Sequence, residues 1–240
     1  MKLWWSQKIK GQKPFLNFKM QATNYPVSLP DSYVHFGKHK VFNRLSNKFD
    51  KHDLVRLWSL ILNCKQVLEE EIEGDFAEVG VYKGNSAIVL AEIANFVGRD
   101  LYLFDTFDGF DKKDLEGVDE KFKEGDWGGA SVDDVKSFIG EAVGCCHFEA
   151  GYFPETLTEK HKEKKYSVVS IDCDLYKPIK SALDEFYPLM SRGGILLIHD
   201  YSSGFWEGAT DAVNEFCKET GEHVVCMPDK SGSAFVRKSK

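Results

Sequence analysis

Apolar residues between Lys51 and about Glu71 recur at three- and four-residue steps. Leu54, Leu57, Trp58, Ile61 and Leu62 follow this spacing, and Leu68 lies two turns beyond Ile61, which predicts a helix with one buried face. The pattern then changes to short apolar runs separated by helical stretches. Strands are predicted at Asp75–Gly80, Leu101–Asp105, His147–Ala150, Tyr166–Ile171 and Gly194–Ile198. Helices are predicted at Asn85–Phe96, from Ser131 to about Val143, at Pro154–Lys162, Ile179–Met190 and Ala209–Thr220. Ser131 reads as the N-cap of its helix, with Asp133 and Asp134 in the first turn. Alternation of apolar strands with helices implies a parallel sheet covered on both faces. The end of the chain breaks the alternation. Val224–Met227 and Ala234–Val236 are two strands joined by a turn at Asp229–Gly232, so they run antiparallel to each other. Residues 1–49 have no periodicity and are punctuated by Pro14, Pro26 and Pro30. They read as an arm or cap in front of one domain spanning 50–240.

Composition adds bounds. A chain of 240 residues that is 42% hydrophobic and 13% aromatic is long and apolar enough for a full core. A net charge of −7 argues against a general nucleic-acid binder. Residues 1–49 hold nine Lys or Arg against one acid, Asp31, so the remainder is strongly acidic. Such an arm suits an anionic acceptor, a membrane surface or the acidic body of a neighbouring subunit, and packing in a homodimer or higher homo-oligomer is the preferred reading. The six cysteines form no CxxC pair, and most sit in apolar runs that read as core, which points to structural thiols in a reduced compartment. The start lacks the apolar stretch of a signal peptide, and no run approaches transmembrane length. The expectation is a cytoplasmic protein without stable membrane insertion.

Candidate chemistry gathers where strands end. Glu78-Val-Gly80-Val-Tyr-Lys-Gly84 joins the first strand to its helix, and its glycines leave room for a ligand near the backbone. Asp105 ends the second strand, where a carboxylate accepts the hydroxyl hydrogens of a ribose. The glycine spacing is not the GxGxxG of a dinucleotide site, and the acid Glu78 disfavours a pyrophosphate. It favours the cationic amino-acid end of S-adenosylmethionine. The bland alternative is a glycine turn of the kind found in any α/β domain. Further on, Asp172 and Asp174 leave the end of one hydrophobic strand, and His199-Asp200 leave the end of the next. In a parallel sheet both ends open on one face, so these residues converge. Carboxylates with an imidazole suit Mg²⁺, Mn²⁺ or a similar ion. The alternative is that some of them only cap strand ends.

The stretches GDFAEVGVYKGNSA, LYLFDTFDGF, SIDCDLYKPIKSALDEFYP, GGILLIHDY and GATDAVNEF resemble the macrocin O-methyltransferase (TylF/MycF-like) family over roughly residues 54–220. The most specific part is D-x-D-x-Y followed by a helix ending in YP. The resemblance implies a Rossmann-like class I methyltransferase: an α/β fold with a seven-stranded, mostly parallel sheet, a reversed C-terminal strand and helices on both faces. It implies S-adenosylmethionine and Mg²⁺ as cofactors, and a sugar hydroxyl of a small metabolite or glycan as acceptor. It gives Asp172 as a metal ligand, Asp174 as general base and Asp200 as a second metal ligand. His199 stands where the family usually has an acid; it is read as a third ligand, a proton relay or the mark of a metal-free variant. Glu78, Gly80, Gly84 and Ser86 are expected at the cofactor's amino-acid end, Asp105 at the ribose with Thr106 and Phe107 beside it, and Ser131, Gly151 and Tyr152 at the adenine. Ser131 has an equal reading as a helix cap. The 108–130 segment, with Trp127-Gly128-Gly129, reads either as a lid or as a solvated loop. Rival classes are a dinucleotide-dependent oxidoreductase, a metal-independent methyltransferase acting on nitrogen or another acceptor, and a binding protein that keeps only the fold.

Overall fold

The computed structural model describes residues 53–240, and the basic arm read at 1–49 lies outside them. Helix α1 (Leu54–Glu69) is N-capped by Asp53, whose side chain accepts from the Arg56 amide. Then follow β1 (Asp75–Val79), α2 (Asn85–Val97), β2 (Leu101–Asp105), α3 (Val132–Ile139), β3 (Cys146–Ala150), α4 (Glu159–Lys162), β4 (Tyr166–Ile171), α5 (Tyr176–Leu189), β5 (Met190–Ile198), α6 (Glu207–Thr220), β6 (Val225–Cys226) and β7 (Ala234–Arg237). One seven-stranded sheet runs in the order β3-β2-β1-β4-β5-β7-β6. β7 lies antiparallel to both β5 and β6, and the strands from β3 to β5 pair in parallel. The expected single reversed strand is therefore β7.

Alternation along each strand sorts the core into two layers. Phe76, Leu101, Leu103, Val168, Ile195 and Leu197 face α1, α2 and α3. Ala77, Val79, Tyr102, Phe104, Val169, Ile171, Leu196 and Ile198 face α5 and α6. Register aligns the strand ends. Val79 pairs with Ile171, and Ile171 pairs with Ile198. The next residues continue the ladder: the Asp172 amide donates to the Val79 carbonyl (2.8 Å) and the His199 amide to the Ile171 carbonyl (2.9 Å). Gly80, Asp172 and His199 thus form one row at the carboxyl edge, and the strand order changes direction between β1 and β4, where ligands of such sheets sit.

Some boundaries differ from the sequence reading. β5 begins at Met190 because Met190 pairs with Tyr166 before a register shift. Of the expected helix 154–162 only Glu159–Lys162 forms; Thr158 is its N-cap, in a capping box with His161, and Thr158 starts the helix five residues late. The helix after Ser131 stops at Gly140, which has φ +75, and continues as a 3-10 turn to Cys145. All six cysteines are free, but only Cys64 is buried and Cys226 is exposed, so the reading of most as core is corrected. No helix among the described residues is long and apolar enough to cross a membrane.

Candidate active site

The ends of β4 and β5 bring four acid–base groups together. Nδ1 of His199 lies 2.8 Å from Oδ1 of Asp172 and 2.6 Å from Oδ2 of Asp200. Asp174 and Asp200 hold left-handed backbones (φ +62 and +61). A non-glycine residue in that region stores strain, which clusters where geometry serves function. A fifth group comes from α1: Arg56 Nη2 donates to Oδ2 of Asp172 at 2.5 Å. The sequence reading missed Arg56. Its only trace was a cation placed one residue before the apolar stripe resumes at Leu57 and Trp58, which any solvated helix face also shows.

Charge balance follows from this crowding. Burial opposes ionisation of Asp172, but His199 and Arg56 outweigh it and hold the carboxyl well below the usual range. Burial, reinforced by the carboxylates of Asp172 and Asp200, pushes Asp174 well above it. Burial also works against a charged His199, yet Asp172 and Asp200 hold that imidazole up at about 10. Glu78 is fully buried, and burial pushes it up to about 8 against the pull of the Ser86 hydroxyl.

The donor atoms fit a divalent cation. Asp172, His199 and Asp200 each offer one ligand atom, and all three lie within 4.8 Å of one another. Although Nδ1 of His199 is close to two carboxylate oxygens, the angles are not those of hydrogen bonds, and both ring nitrogens are buried without a partner among the described residues. A buried polar atom left without a hydrogen bond needs an explanation, and a cation held among these three side chains would supply one.

A cleft opens beside these groups. Gly80, Tyr82, Asp105, Thr106, Trp127, Gly151, Tyr152, Asp172 and Asp174 line it. Asp105 binds its own surroundings: Oδ2 accepts from the amides of Val81 (2.6 Å) and Tyr82 (2.9 Å), and Oδ1 from that of Phe107 (2.6 Å). A carboxylate has about four acceptor positions, so about one remains for a ribose hydroxyl. Tyr152 donates its hydroxyl to Asp114 (2.6 Å). Glu78 and Ser86 are buried and do not line the cleft; Oε2 of Glu78 has no hydrogen bond among the described residues. Gly84, Phe107 and Ser131 do not line it either. Ser131 forms a capping box with Asp134 on α3. The 108–130 segment is largely exposed but anchored at a few points: Phe122 lies on Trp206 (4.6 Å between centroids), and Oδ2 of Asp119 accepts from the Tyr176 amide at the start of α5 (2.7 Å). This anchoring sets Trp127, half exposed, against Tyr82 at the cleft wall (5.9 Å).

The sequence model of the macrocin-O-methyltransferase (TylF) family matches residues 54–235. The chain belongs to this family. A curated relative from Streptomyces olivaceus, an 8-demethyl-8-(2,3-dimethoxy-alpha-L-rhamnosyl)-tetracenomycin-C 4'-O-methyltransferase, is 27% identical over 175 residues. That match covers 68% of this chain and 65% of the relative, a little under two thirds of its length. Among solved structures, the calicheamicin methyltransferase CalS11 superposes with a TM-score of 0.69 at 21% identity, covering 90% of this chain and 87% of that one. The O-methyltransferase NovP gives 0.66 at 20%, covering 80% and 82%. These likenesses show the fold. Within the macrocin-O-methyltransferase fold, then, the strand-end cluster of this chain is Asp172, Asp174, His199 and Asp200. An imidazole stands at position 199, and the Arg56 guanidinium occupies one oxygen of Asp172.

Proposed function

We propose that the chain is an S-adenosylmethionine-dependent O-methyltransferase that methylates a hydroxyl of a sugar or glycosylated metabolite, with Asp174 as general base and a divalent cation held by Asp172, His199 and Asp200. The observation that carries this reading is the convergence of two aspartates and an imidazole without a hydrogen bond among the described residues at the ends of β4 and β5, beside a cleft that also contains Asp174. Family membership and the rhamnosyl acceptor in the relative's name support the donor and the acceptor class.

Each residue has a task. Glu78, with its bare Oε2, suits the ammonium of the donor's amino-acid end, and Ser86 steadies it from α2. Asp105 and Thr106 face the cleft where a ribose would lie, and Gly151 and Tyr152 lie further along the wall. The bound cation would lower the pKa of the acceptor hydroxyl. Asp174 takes the hydroxyl proton while the acceptor oxygen attacks the methyl carbon. The bond from that carbon to sulfur breaks, and S-adenosylhomocysteine leaves. A carboxylate whose pKa is raised by burial and like charge is the stronger base for this step. The site leaves little to a dinucleotide: the amides of Val81 and Tyr82, which a pyrophosphate would need, already donate to Asp105.

Asp174→Asn tests the assignment. Turnover should fall by about 10²–10⁴, with S-adenosylhomocysteine affinity measured by calorimetry close to wild type. Full turnover in this variant refutes Asp174 as the base, and activity that survives exhaustive chelation refutes the cation.

A further inference from the structure

The chemistry of the three donor atoms bears on which ion they hold. This argument rests on the cation-assisted reading above. Of the three donors, one is an imidazole nitrogen rather than a carboxylate oxygen, so it brings no negative charge to an ion. The charge available to an ion is reduced again on the far side of Asp172, where Arg56 Nη2 sits 2.5 Å from Oδ2 while Oδ1 faces His199. A small, hard ion such as Mg²⁺ depends on anionic oxygen and gives up its waters reluctantly. Ions of the Mn²⁺ to Ni²⁺ series gain from imidazole nitrogen, and gain more along the series.

We infer that this site selects a borderline divalent cation of the Mn²⁺–Ni²⁺ series over Mg²⁺, with Nδ1 of His199 as the selecting ligand. The geometry favours ligation over a structural role for the imidazole. A histidine held for structure would donate one ring proton along a hydrogen bond; here neither nitrogen has a hydrogen-bonded partner among the described residues, and Nδ1 is 2.8 and 2.6 Å from oxygens of two different aspartates. Asp172 and His199 directly follow the adjacent, in-register strands β4 and β5, and their amides continue the ladder, so two of the three donors are anchored to the sheet.

The test uses full-length protein stripped with a chelator and dialysed. Calorimetric titration with Mn²⁺, Co²⁺ and Mg²⁺ gives the affinity order, and pulsed electron paramagnetic resonance of the Mn²⁺-loaded protein detects a directly bound nitrogen. The expected result is a nitrogen coupling on bound Mn²⁺ and tighter binding of Mn²⁺ and Co²⁺ than of Mg²⁺. His199→Asp should abolish the coupling and narrow the Co²⁺-to-Mg²⁺ ratio by about tenfold or more. Bound Mn²⁺ without nitrogen coupling in the wild-type protein, or an unchanged ratio in the variant, overturns the inference and leaves the cation-assisted reading intact. Failure of all three ions to bind the wild-type protein overturns both.

Discussion

Replacing Gly80 by alanine separates two reasons for a glycine at the end of β1. One is room for a ligand; the other is close approach of neighbouring strands. An ideal Cβ at Gly80 would lie 2.1 Å from the Asp172 carbonyl oxygen and 2.5 Å from its carbon. These are backbone atoms in the ladder between β1 and β4, so they cannot turn aside as a flexible side chain would. The backbone of Gly80 also has φ +87. A side chain in that region costs about 1–2 kcal/mol, and forcing apart a packed contact costs about 1–3 kcal/mol. The combined loss is about 2–5 kcal/mol, which for a domain of this size lowers the melting temperature by on the order of 10 °C. The functional effect should exceed the stability effect. Asp172 must retreat by about 1 Å, and misplacement on that scale costs about 10²-fold in rate. Gly84→Ala is the control. Its φ is similar at +83, but the added Cβ meets only side chains, Val135 at 3.0 Å and Phe138 at 3.4 Å, far from the acid cluster. It should lose stability without losing cation affinity. Thermal melts and Mn²⁺ titration of both variants decide the matter. A Gly80→Ala protein with wild-type melting and wild-type cation affinity refutes the close-approach account.

Two further measurements probe the donor end of the cleft. Glu78 is held up at about 8 by burial, so between its ordinary pKa and about 8 the folded protein keeps a proton that the unfolded chain has released. By linkage, this group makes the free protein less stable as pH rises through that window. A cationic ligand favours the ionised form, so S-adenosylhomocysteine affinity should increase from about pH 6 toward about 8 with release of a proton, and Glu78→Gln should flatten the trend. A flat wild-type profile removes Glu78 from the ammonium site. Ser131→Ala removes a capping box and should cost about 0.5–2 kcal/mol in urea unfolding while leaving S-adenosylhomocysteine affinity unchanged. A large loss of affinity with normal stability would instead put Ser131 at the cofactor.

The pattern of the sequence was enough for the architecture, because burial on both faces of a parallel strand leaves an unmistakable run of apolar residues, and YSVVSI, GILLI and LYLFD are such runs. It was enough, too, to mark strand ends as the place for chemistry, since Asp105 ends one such run and Asp172, Asp174, His199 and Asp200 lie within three residues of the ends of two others. Family likeness in the same stretches named the class. Tertiary structure decided what local pattern does not encode. Arg56 meets Asp172 across 116 residues, a pairing that depends on how α1 lies over the sheet. A Cβ at Gly80 would meet the carbonyl of Asp172, because two strands distant in sequence converge there. Asp105 spends most of its acceptor positions on neighbouring amides, and the 108–130 segment is anchored by Asp119 and Phe122. Sequence periodicity records which face of an element is buried. Which particular groups meet, and which buried atoms are left without a partner, is set only when those faces are packed together.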